Sequence, residues 1–86
     1  MKVCPVCGFS GLKNEPYEGT VPSYEICPCC GFEFGFDDYS EGWTHEQYRD
    51  KWIQSGMIWF NPKLKPTDWN SEQQLKNIKN EDKGKI

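Results

Sequence analysis

A six-residue pattern occurs twice in this chain and constrains its fold more than any other feature. Cys4-Pro5-Val6-Cys7-Gly8-Phe9 returns 23 residues later as Cys27-Pro28-Cys29-Cys30-Gly31-Phe32, with one position changed. In a turn of this kind the proline fixes the backbone angle, and the second cysteine brings its sulfur back beside the first. The glycine takes a left-handed conformation, which directs backbone NH groups at the sulfurs. Each copy therefore predicts a tight turn that presents two thiols.

Two such turns, or zinc knuckles, supply the four sulfurs that a closed tetrahedral structural zinc site requires. We therefore predict one Zn²⁺ per chain, with no coordination position left for water or substrate. Its ligands would be Cys4, Cys7, Cys27 and Cys30. An alternative is iron in a rubredoxin-like electron carrier, which uses similar knuckles and the same four thiolates. A thioredoxin-type site needs only one cysteine pair in a longer chain, which disfavours it here.

The rest of the chain favours a metal over disulfides. With 86 residues, the domain buries too little surface for its core alone to guarantee stability, so a staple is expected. No apolar run resembles a signal peptide, and no stretch could span a bilayer. We therefore expect a cytoplasmic protein, in which thiols stay reduced. The odd number of cysteines, five, agrees with this.

The fifth cysteine, Cys29, takes the place of Val6 in the first knuckle, where the side chain points away from the metal. The plain interpretation is a small apolar side chain that covers a neighbouring surface. Its closeness to bound thiolates also allows ligand exchange or redox sensing. Both interpretations stay open at the level of the sequence.

The predicted fold class is α+β, a small zinc ribbon packed against one or two C-terminal helices. Segments 23–26 and 32–36 alternate polar and apolar residues, which predicts a hairpin with the second knuckle at its tip. The residues between the first knuckle and this hairpin are predicted to form a loop. A capping box predicts a helix from about Thr44 to Ser55, with Gly56 as its left-handed cap. The remaining predictions are an extended segment at Met57-Ile58-Trp59-Phe60, a second helix after Asn70, a single domain over residues 1–79 and a disordered tail over 80–86.

Three further groups of residues could contribute to function. Asp37 and Asp38 could do acid–base chemistry or bind a divalent ion, but a solvated turn is the more common role for such a pair. His45, the sole histidine, is predicted to be an exposed helix residue. The four tryptophans either fill the core or leave part of their number on the surface as a recognition patch. They are Trp43, Trp52, Trp59 and Trp69.

The charge distribution disfavours a nucleic-acid partner. Residues 1–60 carry nine acids and four bases, whereas residues 61–86 carry four acids and six bases. Four thiolates on one Zn²⁺ would lower the net charge of −3 by about two more. Phosphate binding needs a basic face, and the half with the cysteines is the acidic half. Binding through the lysines of the tail remains an alternative.

Residues 3–40 resemble the bacterial cysteine-rich CPCC family, named for the motif that Cys27-Pro28-Cys29-Cys30 matches. The phrase Ser23-Tyr24-Glu25-Ile26-Cys27-Pro28 carries the resemblance most specifically, and the first knuckle fits it with Val6 at the variable position. The resemblance implies a small zinc-binding bacterial domain and no particular reaction. It implies metal-ligand roles for the four paired cysteines alone.

A closed metal site and a surplus of tryptophans favour a non-catalytic protein-binding module over an enzyme. The expected partner is another protein, with no membrane involved. The alternatives are a redox or hydrolytic enzyme that uses Cys29 or the Asp37–Asp38 pair, a nucleic-acid-binding zinc ribbon, and the iron electron carrier.

Overall fold

The computed structural model describes residues 2–78. Its elements follow the order β1 (Tyr17–Glu18), β2 (Val21–Pro22), α1 (His45–Gln54) and α2 (Ser71–Leu75), with short 3-10 helices at Pro62–Leu64 and Lys76–Ile78. This composition, together with a cluster of four cysteines, confirms the predicted small, zinc-ribbon-like α+β class. The predicted domain end at residue 79 and the predicted tail over 80–86 lie outside the described residues.

The regular sheet lies in a segment that was predicted to be a loop. β1 and β2 pair antiparallel, with Glu18 opposite Val21, and the turn between them consists of Gly19 and Thr20. Gly19 has a φ of 66°, the left-handed conformation that two-residue hairpins favour. The prediction of an irregular loop was therefore wrong for these residues, because a two-residue turn can close a hairpin whose strands are only two residues long.

The hairpin around the second knuckle is much shorter than predicted. Segments 23–26 and 32–36 do run antiparallel with the knuckle between them, but they form a single isolated bridge, from Ile26 to Glu33. Tyr24 has a φ of 62°, which interrupts the extended backbone on one side. On the other side the chain enters a series of turns directly after the bridge. The alternating pattern coincides with the core at Phe32 and Phe34, but Tyr24, Ile26 and Phe36 are exposed, and the pattern did not indicate continuous strands.

Helix α1 begins and ends as predicted. The Thr44 hydroxyl accepts a hydrogen bond from Gln47 N (3.0 Å), and the Gln47 side chain accepts one from Thr44 N (3.1 Å), which completes the capping box. Gly56 follows the helix with a φ of 106°, and Met57 N donates to Trp52 O (2.9 Å). This bond closes a Schellman motif, the C-terminal cap that a left-handed glycine permits.

The second helix, α2, is short and also begins at its predicted cap. Asn70 Oδ1 accepts a hydrogen bond from Gln73 N at 3.0 Å. Leu75 packs against the core, and Ile78, in the 3-10 turn that follows, is buried. No helix within residues 2–78 is both long enough and apolar enough to cross a membrane.

The hydrophobic core is built around the cysteines themselves. The rings of Phe32 and Phe34 are fully buried and lie 5.5 Å apart, centroid to centroid. Tyr48 of α1 packs edge-on against Phe32 at 4.9 Å, so the helix covers the ribbon as its apolar face predicted. The buried apolar residues are Cys4, Val6, Cys7, Leu12, Cys27, Cys29, Cys30, Phe32, Phe34, Trp52, Trp59 and Ile78.

The tryptophans fill the core, which was one of the two roles weighed for them. Trp52 and Trp59 are buried, and Trp43 and Trp69 are half-buried against the core cluster. Trp69 contacts both buried indoles edge-on, with ring centroids 6.3 Å from Trp52 and 5.6 Å from Trp59. The tryptophans of the described chain therefore form no exposed patch. The regular elements are few and short, so the large indole rings fill much of the interior.

A matched pair of substitutions tests how the two buried indoles contribute to stability. Trp52 Nε1 donates a hydrogen bond to Ile58 O at 3.1 Å, whereas Trp59 Nε1 is buried without a hydrogen-bond partner among residues 2–78. Both W52F and W59F create a cavity, but only W52F loses a hydrogen bond, and W59F removes an unsatisfied donor. We expect W52F to lower the free energy of unfolding by about 1–3 kcal/mol more than W59F, measured by denaturant unfolding. A larger loss for W59F would contradict the indole assignments.

Candidate metal centre

The two knuckles fold alike, as their shared sequence predicts. In each, the NH of the first cysteine donates to the phenylalanine carbonyl, and the glycine NH donates back to the carbonyl of the first cysteine. Gly8 and Gly31 have φ angles of 88° and 83°, which a side chain at either position would strain. The four bonds are Cys4 N to Phe9 O (2.8 Å), Gly8 N to Cys4 O (2.9 Å), Cys27 N to Phe32 O (3.0 Å) and Gly31 N to Cys27 O (2.8 Å).

The four paired cysteines converge on one point. Their sulfur atoms all lie within 4.8 Å of one another, with Cys4 Sγ 3.8 Å from Cys30 Sγ and Cys7 Sγ 3.7 Å from Cys27 Sγ. A disulfide would bring two sulfurs to about 2.05 Å, so these thiols are free. A tetrahedral ion bound by thiolates at about 2.3 Å requires sulfur separations of about 3.8 Å. The four cysteines could therefore hold a metal ion.

The electrostatics of the cluster also suit a cation. Burial raises the pKa of the Cys7 and Cys30 thiols, which opposes their ionisation. Hydrogen bonds from Cys30, Cys4 and Cys7 lower the pKa of Cys27, because they stabilise one thiolate among thiols. The surroundings thus favour the ionised form of Cys27 and the neutral form of Cys7 and Cys30. A divalent cation would favour the thiolate form of all four cysteines, because its charge stabilises them together.

Arg49 of α1 fixes the first knuckle from outside. Its Nε donates to Val6 O at 2.7 Å, and its Nη2 donates to Pro5 O at 2.9 Å. A planar guanidinium holds two neighbouring carbonyls in one orientation, which a lysine could not do. Arg49 lies next to Tyr48 in the sequence, and its contact with the knuckle follows from how α1 packs, so no local pattern indicated it.

The C-terminal segment fixes the first knuckle from another side. Gln74 of α2 donates through Nε2 to Cys7 O (3.1 Å), and Asn77 donates through Nδ2 to Gly8 O (2.8 Å). A Cβ on Gly8 would lie 2.2 Å from Gln74 O, so only glycine permits this approach. Trp69 Nε1 donates to Gln74 Oε1 at 2.8 Å and orients the amide. Helix α2 therefore helps to hold the first knuckle, and with it the cysteine cluster, in place.

Cys29 lies outside the four-sulfur cluster and is fully buried. Its sulfur accepts a hydrogen bond from Gln74 Nε2 at 3.3 Å, and its carbonyl accepts one from Phe60 N at 3.0 Å. These contacts fit the interpretation of Cys29 as a covering side chain in the knuckle. A buried sulfur is poorly placed to attack a substrate or an oxidant.

Asp37 and Asp38 form the turns after the second knuckle. Asp37 accepts a hydrogen bond from Glu33 N at 2.8 Å, and Asp38 accepts bonds from Gly35 N and Tyr39 N, both at 2.8 Å. The carboxylates are thus engaged with backbone NH groups, as in the predicted turn. No cluster of three or more metal-binding side chains within residues 2–78 includes them.

His45 is not the plain exposed residue that was predicted. Its ring is half-buried, lies edge-on to Phe32 with centroids 5.5 Å apart, and places Nε2 2.9 Å from the Tyr17 hydroxyl. The Tyr17 hydroxyl in turn donates to Asp38. Tyr17 is a residue that the sequence analysis did not single out, because it lies 28 positions from His45.

Alanine substitutions at two buried cysteines of the second knuckle test the assignment of ligands. C27A removes one of the four converging sulfurs, and C29A removes a sulfur outside the cluster. We expect C29A to retain about one metal ion per chain and C27A to fall well below that stoichiometry. Elemental analysis of the purified variants, with circular dichroism as the control for folding, provides the measurement. Equal metal loss in both variants would contradict the assignment.

Comparison with known proteins gives relatives in one organism. The chain is 33% identical to the uncharacterized protein YoaQ of Bacillus subtilis (strain 168), across 85% of this chain and 75% of YoaQ. It is 30% identical to the uncharacterized protein YozI of the same strain, across 85% of this chain and 74% of YozI. No protein-family model and no solved structure matches, so the CPCC resemblance stays a prediction. The chain belongs to the family that contains the Bacillus subtilis proteins YoaQ and YozI.

Proposed function

We propose that this chain is a cytoplasmic domain folded around one structural Zn²⁺, and that it serves as a non-catalytic protein-binding module. The observation that carries this proposal is the closed, buried arrangement of the four sulfurs. Cys4, Cys7 and Cys27 are fully buried, and Cys30 is 7% exposed. A metal held there by four thiolates has no open position for a substrate, which is the character of structural zinc sites.

The placement of the other candidate groups supports a binding role over an enzymatic one. Cys29 is buried, and Asp37 and Asp38 accept hydrogen bonds from backbone NH groups of their own turns. A nucleophile or general base needs to reach a substrate, and these groups are committed to the fold. The structure gives the enzymatic alternative less support than the binding one.

A candidate binding surface lies on the segment that follows α1. Ile58, Phe60 and Leu64 are 68%, 63% and 55% exposed, and we call these three side chains the 58–64 surface. Large apolar side chains that stay exposed on one short segment of a small domain are typical of protein-interaction sites. This surface takes the place of the tryptophan patch that was considered from the sequence.

The second knuckle holds the part of this segment around Phe60 in place. Phe60 N donates to Cys29 O (3.0 Å), and Asn61 N donates to Pro28 O (2.8 Å), so the segment is hydrogen-bonded to the second knuckle. The Phe60 ring also covers Gly31, where an added Cβ would lie 3.0 Å from it. Loss of the metal would release the knuckle and with it the geometry of this surface.

Removal of the metal tests the structural role. Zinc coordination should contribute on the order of 10 kcal/mol to folding, so chelation should abolish most of the α1 signal in far-ultraviolet circular dichroism. Added Zn²⁺ should restore the signal. An unchanged helix signal after complete removal of the metal would contradict a structural role, and a red protein with one equivalent of iron would favour the electron-carrier alternative.

Substitutions on the 58–64 surface test the binding role. I58S/L64S should reduce the retention of protein partners from the native host several-fold, whereas V21S/I53S, which changes exposed apolar side chains elsewhere, should not. Metal content and circular dichroism of both variants provide the control for folding. Identical partner sets for wild type and I58S/L64S would rule out this surface as the interface, and no specifically retained protein with any bait would contradict the binding role itself.

A further inference from the structure

A long stretch of the chain is uniformly acidic. Between Lys13 and Arg49 there are eight carboxylic acids and no lysine or arginine. This stretch includes the β1–β2 hairpin, the second knuckle and the start of α1. Because the charges of a folded domain add, these eight carboxylates contribute a negative potential that attracts cations.

A cleft of about 470 Å³ opens within this acidic stretch. It lies between the β1–β2 turn, the turn that contains Asp38, and the first residues of α1. Tyr17, Tyr39 and Trp43 contribute aromatic rings to its walls, and Asp38 and His45 contribute polar groups. Its volume falls within the range of about 300–1,000 Å³ that is usual for ligand sites.

A chain of hydrogen bonds fixes the polar side of the cleft. Tyr17 donates its one hydroxyl proton to Asp38. The Tyr17 oxygen can therefore only accept from His45 Nε2, which lies 2.9 Å away, so His45 carries a proton on that nitrogen. Hydrogen bonds are therefore donated from His45 to Tyr17 and from Tyr17 to Asp38. The negative charge of these three side chains lies on the Asp38 carboxylate.

The charge on Asp38 is held in place by its surroundings. Burial works against the charged form, but hydrogen bonds from Tyr17, Gly35 and Tyr39 outweigh it and keep the pKa of this carboxyl below its usual range. Asp38 therefore stays ionised at neutral pH. It provides a fixed negative group in the wall of the cleft.

The aromatic rings of the cleft are arranged to bind a positive group. The centroid of the Tyr17 ring lies 6.3 Å from that of Tyr39 and 5.7 Å from that of His45. The faces of such rings attract ammonium and guanidinium groups. The chain itself provides an instance on one of these rings, because Lys51 Nζ lies 5.5 Å from the centroid of Trp43.

We propose, on the basis of the protein-binding role above, that this cleft binds the guanidinium or ammonium group of an Arg or Lys side chain from the protein partner. Ionic attraction to Asp38 and contact with the rings of Tyr39 and Trp43 provide the recognition. A protein side chain fits better than a free amine because the cleft is open: Tyr39 is 57% exposed. A partner covers such a rim, whereas a small free molecule stays largely in water.

Peptide titration of the metal-loaded full chain tests this site. The probe is the peptide acetyl-Gly-Arg-Gly-amide, and the matched control contains citrulline, which has nearly the same shape and no charge. We expect the arginine peptide to bind at least about threefold more tightly, with NMR shifts concentrated on Tyr17, Tyr39 and the Trp43 indole NH. Equal affinities, or shifts spread away from the cleft, would overturn the cation site.

Free methylguanidinium distinguishes the source of the cation. We expect it to bind more weakly than the arginine peptide, because it lacks the backbone that contacts the rim. Binding as tight as that of the peptide would overturn the assignment to a protein side chain. Affinity for the arginine peptide should also fall as sodium chloride is raised, since the attraction is ionic.

A pair of ring substitutions tests the aromatic contribution and separates this site from the 58–64 surface. Y39L removes an exposed ring of the cleft, and F60L removes an exposed ring of the 58–64 surface. We expect Y39L to weaken the arginine peptide about threefold to tenfold and F60L to leave its affinity unchanged. A partner that depends on the 58–64 surface but binds Y39L normally would leave the protein-binding role standing and overturn the cleft.

Discussion

The convergence of four thiol side chains on one point is the constraint on which the rest of this structure depends. The pairs come from turns 23 residues apart, and between them the described chain forms little regular structure beyond a four-residue sheet. Burial raises the pKa of the Cys7 and Cys30 thiols, so all four cysteines could be ionised together only with a cation to compensate their charge. A domain with such short elements depends on that cluster where larger domains rely on an extended core.

The helical half of the chain supports the cluster as much as it covers the core. Arg49 holds two carbonyls of the first knuckle, Gln74 and Asn77 hold the carbonyls that follow, and the segment after α1 is hydrogen-bonded to the second knuckle. Partners that orient metal ligands commonly tune metal affinity. The hydrogen bond from Phe60 N to Cys29 O places the exposed Phe60 beside the second knuckle, so a metal bound by the cysteines would also influence the shape of the proposed interface.

Particular residues show how far the sequence could predict this protein. Repetition of the knuckle identified all four converging cysteines, and the capping residues Thr44 and Asn70 located both helices, because these signals are local. The strands beside the second knuckle were overestimated, since Tyr24 adopts a left-handed backbone that the alternating pattern does not reveal. The roles of Arg49 and Tyr17 were missed, because each depends on a partner far away in the chain.

From the sequence alone followed the residues that could bind a metal, the class of fold and the positions of the helix caps. All of these rest on interactions within a few residues, or on a motif whose spacing has one geometric meaning. The packing of the chain settled where the tryptophans go, which apolar side chains remain exposed, and how Tyr17, Asp38 and His45 meet in one cleft. Such outcomes depend on how side chains from distant segments pack together in a small interior. A local sequence pattern does not contain that information.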